Sequence, residues 1–131
     1  MVLPHIFQKS PTGESLCYVW FSAMHTRVDL IFIGHEAESF FLHVANLIQK
    51  EIVQIEQIGN CFNPTSEISQ VNSYAPFCSQ EISNDLYLII KSCLDYNLKT
   101  FGLFDITTDS KDFSKSTISK VSLSKNHFIS L

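Results

Sequence analysis

The sequence predicts an α+β fold, in which one long helix and one or two shorter helices pack on an antiparallel sheet. Two strand-like segments follow one another at 16–22 and 26–33, and a long amphipathic helix pattern comes directly after them. Later strands and helices mix without the regular alternation that builds a parallel sheet. Because consecutive antiparallel strands need only a short connection, the first two strands are expected to pair.

The first half of this prediction rests on two clear patterns. Residues 16–22 are rich in aromatic and β-branched side chains, and Val28, Leu30 and Phe32 alternate along the second strand, which gives it one apolar face. From 35 to 58, apolar residues recur at steps of three and four, which predicts one helix with an apolar stripe.

The second half combines capping signals with shorter patterns. Asn63 before Pro64 predicts the start of a short helix that reaches about Asn72, and Ser83 predicts the N-cap of a further helix over 84–97. Two apolar segments near the end of the chain predict a hairpin that turns at 124–126; they are 118–123 and 127–131.

Length and composition indicate a single globular domain. The chain has 131 residues, of which 45% are hydrophobic and 17% charged, enough apolar material to bury a core. An irregular lead-in is expected over 1–15, followed by one domain over 16–131. The four glycines lie far apart, which excludes both the P-loop and the glycine-rich dinucleotide fingerprint.

Charge and cysteine content narrow the function classes. The net charge is −4 and Arg27 is the single arginine, which argues against a nucleic-acid interface. The four cysteines form no Cys-x-x-Cys pair, so we expect reduced thiols rather than a zinc site. The apolar stretches are too short to cross a bilayer and no secretory leader is evident, so we expect a cytoplasmic protein without membrane contact.

Three segments, in this order along the chain, resemble motifs of the ApbE flavin transferases. The first is FSAMHT at 21–26, where the family has Ala-Met-Gly-Thr. The second is NPTSEISQVN at 63–72, and the third is GLFDIT at 102–107. The resemblance runs from about residue 16 to 107, and it implies that the fold corresponds to the N-terminal part of the ApbE fold.

The resemblance also implies a cofactor and a site. ApbE enzymes are FAD:protein FMN transferases, which use magnesium to split FAD and attach FMN to a serine or threonine of a target protein. Carried over by position, the side chains that would contact FAD are Met24, Phe62, Leu103, Phe104 and Asp105. Leu103 and Phe104 would offer backbone polar groups and an apolar wall, a mixture that is usual in cofactor pockets.

The chain departs from the family pattern in two ways. His25 stands where the family has glycine, and it would narrow the site if that glycine lets the backbone approach the cofactor. The family's later glycine-rich segment and its magnesium ligands have no counterpart in these 131 residues. We therefore assign no catalytic or metal residue, and we expect no transferase activity and no magnesium binding without a partner chain.

Structural alternatives remain open at each residue. Met24 and Phe62 can be ordinary packing residues, and Asp105 can simply cap a turn before Ile106 and Thr107. Three functions also remain open: a shortened transferase that still cleaves FAD, a flavin-binding module, and a non-catalytic subunit that has lost flavin binding. A homodimer or a separate chain is expected to cover exposed apolar surface, including the surface left by the absent half.

Overall fold

The computed structural model describes residues 2–108 and 116–131, and in this part of the chain it confirms the α+β class. The strands are β1 (His5–Lys9), β2 (Ser15–Ala23), β3 (Thr26–Gly34), β4 (Gln80–Glu81), β5 (Ser122–Leu123) and β6 (Phe128–Ser130). The helices are α1 (Glu38–Gly59), α2 (Glu67–Tyr74) and α3 (Asn84–Lys99), and a short 3₁₀ turn spans Ile118–Lys120.

The chain divides into two compact units, Met1–Glu56 and Gln57–Leu131. Each unit has its own three-stranded antiparallel sheet, with strand order β1-β2-β3 in the first and β4-β6-β5 in the second. Each also has its own cluster of buried apolar side chains. The expectation that residues 16–131 form a single domain therefore stays a prediction.

The core of the first unit lies between the sheet and α1. Alternate residues of β2 are buried, from Cys17 to Ala23, and Phe41 and Ala45 of α1 pack in the same cluster. The predicted inward face of β3 is confirmed, because Val28, Leu30 and Phe32 pack against this cluster and are half-buried. Part of the apolar stripe of α1 thus packs on the sheet, whereas Phe40, Leu47 and Ile55 of the same stripe are 40–51% exposed.

The core of the second unit joins both short helices to the small sheet. Val71 of α2, Leu86 and Ile90 of α3, and Ile129 of β6 are all buried in one cluster. Ser83 caps α3 as predicted, since its side chain accepts a hydrogen bond from the backbone N–H of Leu86 at 3.2 Å. The predicted C-terminal hairpin is present with shorter strands, β5 and β6.

Three details correct the sequence prediction. The lead-in expected over 1–15 is not irregular throughout, because His5–Lys9 forms β1 on the free edge of β2. The short helix begins at Glu67 rather than Pro64, because the capping residue is Ser66 and not Asn63. The Ser66 hydroxyl oxygen accepts the capping hydrogen bond from Ser69 N. The two-residue strand β4 carries no pattern of its own and exists through its pairing with β6.

Candidate functional site

The first motif forms the tight turn between β2 and β3. Ala23 pairs with Thr26, so Met24 and His25 are the two central residues, and their φ angles are 52° and 56°. Two consecutive left-handed residues define the hairpin turn that best fits the twist of antiparallel strands, and glycine is favoured there. The family's glycine at the position of His25 is thus explained by backbone conformation. Met24 is 47% exposed.

The second motif begins in a loop that its own side chains organise. Asn60 Oδ1 accepts a hydrogen bond from Phe62 N at 3.1 Å, and Asn63 Oδ1 accepts one from Thr65 N at 3.0 Å. These bonds fold the backbone into turns before Ser66 caps α2. The Phe62 ring is 88% exposed, so it is not a packing residue within the described structure.

Glu67 connects the beginnings of the two short helices. Its carboxylate accepts hydrogen bonds from Ser83 N at 2.5 Å and from Ser83 Oγ at 2.6 Å. Because Ser83 is itself the N-cap of α3, the negative charge of Glu67 also lies close to the positive end of that helix. This geometry supports a structural role for Glu67.

The third motif follows directly on the end of α3. Phe101 N donates to Leu98 O at 3.2 Å and Gly102 N donates to Asn97 O at 2.8 Å, the pair of bonds that defines a Schellman motif. Phe101 occupies the left-handed position with φ of 53°, where glycine is usual. Leu103, two positions after Phe101, is 91% exposed.

The backbone of Phe104 is already bound to α3. Phe104 N donates to Thr100 Oγ1 at 2.9 Å, and its carbonyl accepts a hydrogen bond from Asn97 Nδ2 at 2.7 Å. Leu103 N likewise donates to Thr100 O at 3.1 Å. Of the backbone polar groups expected to face a cofactor, only the Leu103 carbonyl has no hydrogen-bond partner within the described residues. Phe104 offers its ring, which meets Tyr96 edge to face.

Asp105 is the centre of a small hydrogen-bond network. Its Oδ1 accepts from Thr107 N at 2.8 Å and from Thr107 Oγ1 at 2.7 Å, and its Oδ2 accepts from the hydroxyl of Ser116. The Ser116 hydroxyl first, and then both donors of Thr107, hold the pKa of this carboxyl below its usual value. Asp105 therefore closes a turn, the alternative that the sequence left open, and three of its roughly four acceptor sites are filled.

One cavity of about 720 Å³ lies in the second unit, and the second and third motifs both contribute to its wall. The second motif supplies Ile68, Val71 and Asn72, and Cys61 lies two positions before it; the third motif supplies Ile106 and Thr107. Helix α3 and the C-terminal hairpin close the other sides, and the remaining lining residues are Gly59, Pro76, Leu86, Ile89, Ile90, Cys93, Thr117, Lys120, Val121, Ile129 and Leu131.

The chemistry of this wall is apolar with a few polar groups. Asn72, Thr107 and Thr117 carry amide and hydroxyl groups, and Lys120 is the one charged side chain among the lining residues that the structure describes. Both lining thiols are free, and burial raises the pKa of Cys93. A volume between roughly 300 and 1,000 Å³ with such a lining is typical of small-molecule sites.

Within residues 2–108 and 116–131, no three histidine, cysteine, aspartate or glutamate side chains are grouped as metal ligands. In the same part of the chain, no helix combines the length and the apolar character needed to cross a membrane.

None of the five residues predicted to contact FAD is among the lining residues of the cavity. Four of them lie in the second unit, and one lies in the first unit. Phe62 directly follows the lining residue Cys61, and Asp105 directly precedes the lining residue Ile106. Leu103 and Phe104 belong to the same loop as Asp105, and Met24 lies in the first unit. Their role in flavin binding stays a prediction.

Sequence reasoning missed several residues of the wall. Ile89 and Cys93 lie on the predicted helix α3, and both line the cavity. Lys120 carried no signal, because nothing in the sequence brings the turn at Ile118–Lys120 beside the third motif. Asn72 was part of the second motif, and it contributes a polar side-chain amide to the cavity wall.

Comparisons with known proteins agree with this geometry. A model of the ApbE family matches residues 24–111 of the chain. Among solved structures, the crystal structure of the ApbE protein from Thermotoga maritima MSB8 is similar with a TM-score of 0.72 and 14% sequence identity, which shows the shared fold. The match covers 88% of this chain but only 44% of that protein. No curated protein matches the chain significantly in sequence.

Proposed function

The chain belongs to the ApbE family, and on that premise we propose that its second unit, Gln57–Leu131, binds the flavin of FAD and does not transfer FMN on its own. The observation that carries this proposal is the convergence of two family motifs on one apolar cavity. Residues more than 30 positions apart in sequence, such as Cys61 and Ile106, contribute to the same wall.

The cavity suits a flat ring system with polar edges. Isoleucine and leucine side chains from α3 form one wall, against which an isoalloxazine or adenine ring can lie. Asn72 can hydrogen-bond to ring edges or to ribose hydroxyls, since its side-chain amide carries both donor and acceptor groups.

The proposal that the chain lacks transferase activity rests on charge. Phosphoryl transfer depends on positioning and on neutralising the negative charge that develops on the phosphates, usually with a metal ion. In the described residues the cavity offers one cation, Lys120, and no group of carboxylates that could hold magnesium. Catalysis would therefore require groups from outside this part of the chain.

A flavin titration tests the proposal. We expect FAD fluorescence to change saturably as the protein is added, with or without magnesium. Ile106→Trp, at a lining position that is 43% exposed, should fill the cavity and weaken binding strongly. Ile31→Trp is the matched control, because Ile31 is 66% exposed in the first unit and should leave binding unchanged.

The outcomes of this titration separate the alternatives. No change in fluorescence at high protein concentration would refute flavin binding. Equal binding by Ile106→Trp and the unaltered chain would place the flavin elsewhere. Release of FMN and AMP with time would show that the chain is an active enzyme after all.

A second candidate function is a subunit that binds a partner protein or a second copy of itself. Its support is the outward face of the first sheet, where Ile31 and Ile33 are each 66% exposed and Ile6 is 49% exposed. Exposed apolar patches on proteins usually mark interfaces. Sedimentation velocity should show a homodimer or complex that Ile31→Lys dissociates; a monomer at high concentration without a partner would refute self-association.

The expected location also stays a proposal. We propose that the protein acts in the cytoplasm, which the four free thiols support. Fractionation of cells that produce the protein tests this directly, since recovery with the membrane or secreted fraction would contradict it.

A further inference from the structure

The cavity of the second unit has a feature that goes beyond the family motifs. Among the described residues that line it, Lys120 is the one charged side chain, and none is an aspartate or glutamate. The Lys120 ammonium also makes no hydrogen bond or ion pair with the residues that the structure describes. An apolar cavity with one uncompensated cation favours a ligand that has an apolar body and an anionic group.

The turn that carries Lys120 has a defined backbone. Lys120 N donates to Thr117 O at 2.9 Å, and Val121 N donates to Ile118 O at 3.1 Å. These two bonds close the 3₁₀ turn at Ile118–Lys120 and fix the point from which the lysine stem leaves. The ammonium therefore starts from an ordered position, although its stem stays flexible.

The third motif holds this turn in place. Thr117 N donates to Thr107 Oγ1 at 3.0 Å, and the Ser116 hydroxyl donates to Asp105 Oδ2. Thr107 is in turn bound through Oγ1 to Asp105 Oδ1 at 2.7 Å. Asp105 is thus connected to the Lys120 turn by two routes, one through Ser116 and one through Thr107.

We propose that Lys120 selects the anionic group of the ligand, and that Asp105 is a positioning residue that holds the Lys120 turn at the cavity. On the basis of the proposed function, we identify this anionic group as the phosphate of a flavin nucleotide. Because a cation would also attract an alkyl carboxylate, the experiment includes both a flavin phosphate and an alkyl carboxylate. The cavity should then distinguish FMN from riboflavin, which has the same rings and ribityl chain but no phosphate.

The test is a calorimetric titration with two pairs of probes. The pairs are FMN with riboflavin and decanoate with decanol, and each pair differs mainly in the anionic group. We expect the unaltered chain to bind FMN roughly threefold to tenfold more tightly than riboflavin, a modest factor because Lys120 is exposed. Added salt should reduce this preference, because it screens an exposed charge.

Variants assign the preference to its residues. Lys120→Ala should bring FMN affinity down to that of riboflavin, Lys120→Arg should retain much of the preference, and Lys125→Ala is the control. Lys125 is an exposed lysine in the hairpin turn and does not line the cavity. Asp105→Ala should reduce the preference for FMN while riboflavin still binds.

Each result has a distinct meaning. If FMN and riboflavin bind equally to the unaltered chain, the role of Lys120 is refuted and flavin binding stands. If Asp105→Ala weakens both flavins equally, Asp105 contacts the flavin itself and does not position Lys120. If no flavin binds, the proposed function fails. A preference for decanoate over decanol that depends on Lys120 would then still support charge selectivity at Lys120, and the absence of that preference would overturn it.

Discussion

Replacing His25 with glycine should stabilise the protein. His25 has a φ angle of 56° in the turn between β2 and β3, and within the described residues its exposed ring has no hydrogen-bond partner. The left-handed conformation costs an L-residue about 1–2 kcal/mol. Glycine avoids that cost but gives the unfolded chain extra entropy of about 0.5–1 kcal/mol. The expected net gain is therefore about 0.5–1 kcal/mol.

Urea and thermal unfolding followed by circular dichroism can measure this gain. A change of that size should raise the melting temperature by about 2–5 °C in a chain of this length. His25→Ala is the control, because it removes the ring but keeps the β-carbon and should give no gain. A His25→Gly variant no more stable than the unaltered chain would refute the conformational explanation of the family's glycine.

Three further predictions concern other local interactions. Phe101→Gly should stabilise the end of α3 by about 0.5–1 kcal/mol in urea unfolding, because Phe101 has φ of 53° and is 96% exposed; a loss of stability would show that the ring packs on something. Glu67→Ala should destabilise the protein by about 1–2 kcal/mol in the same assay, because it removes two hydrogen bonds to Ser83 where α3 begins; no change would contradict this role. Both ring nitrogens of His5 face acceptors, Leu3 O and Glu38 Oε1, each at 2.8 Å, and these bonds raise the pKa of His5. The stabilisation that these two bonds give the folded protein should be complete below the unfolded pKa of about 6.5, and it should be lost as pH rises through the higher folded pKa. His5→Gln should therefore lower the free energy of unfolding more at about pH 6 than at pH 9. An equal loss of stability at both pH values would refute this reasoning.

The sequence was sufficient for the elements that carry long patterns. The alternation in β3 and the three-four spacing in α1 each run over many residues, so a single exception does not hide them. The cap at Ser83 could also be read locally, because the capping bond joins residues three apart. Such features depend on neighbours in the chain, which is why the sequence predicts them.

The elements that the sequence missed depend on partners far along the chain. Strand β4 has two residues and exists through its pairing with β6, 48 positions further on. The start of α2 was ambiguous, because Asn63 and Ser66 are both good capping residues and the Asn63 side chain is used by Thr65 instead. Local propensity cannot decide between two such candidates.

The candidate site likewise contains residues that local sequence predicts and residues that only the fold brings together. The motifs identified Asp105 and its loop, but the network that binds Asp105 to Ser116 joins segments 11 residues apart. Lys120 lines the cavity on a turn whose neighbours Ser116 and Thr117 are hydrogen-bonded to the third motif. Residues of this kind become visible when the fold places their segments side by side.

The central claim is that a flavin occupies the cavity of the second unit, and chemical-shift mapping tests it most directly. Adding FMN to the isotope-labelled protein should shift the amide signals of Asn72, Thr107 and Lys120 together, along one saturation curve. The signals of Ile31 and Ile33, in the sheet of the first unit, should stay in place. Shifts confined to the first unit, or no shifts at saturating FMN, would contradict the claim.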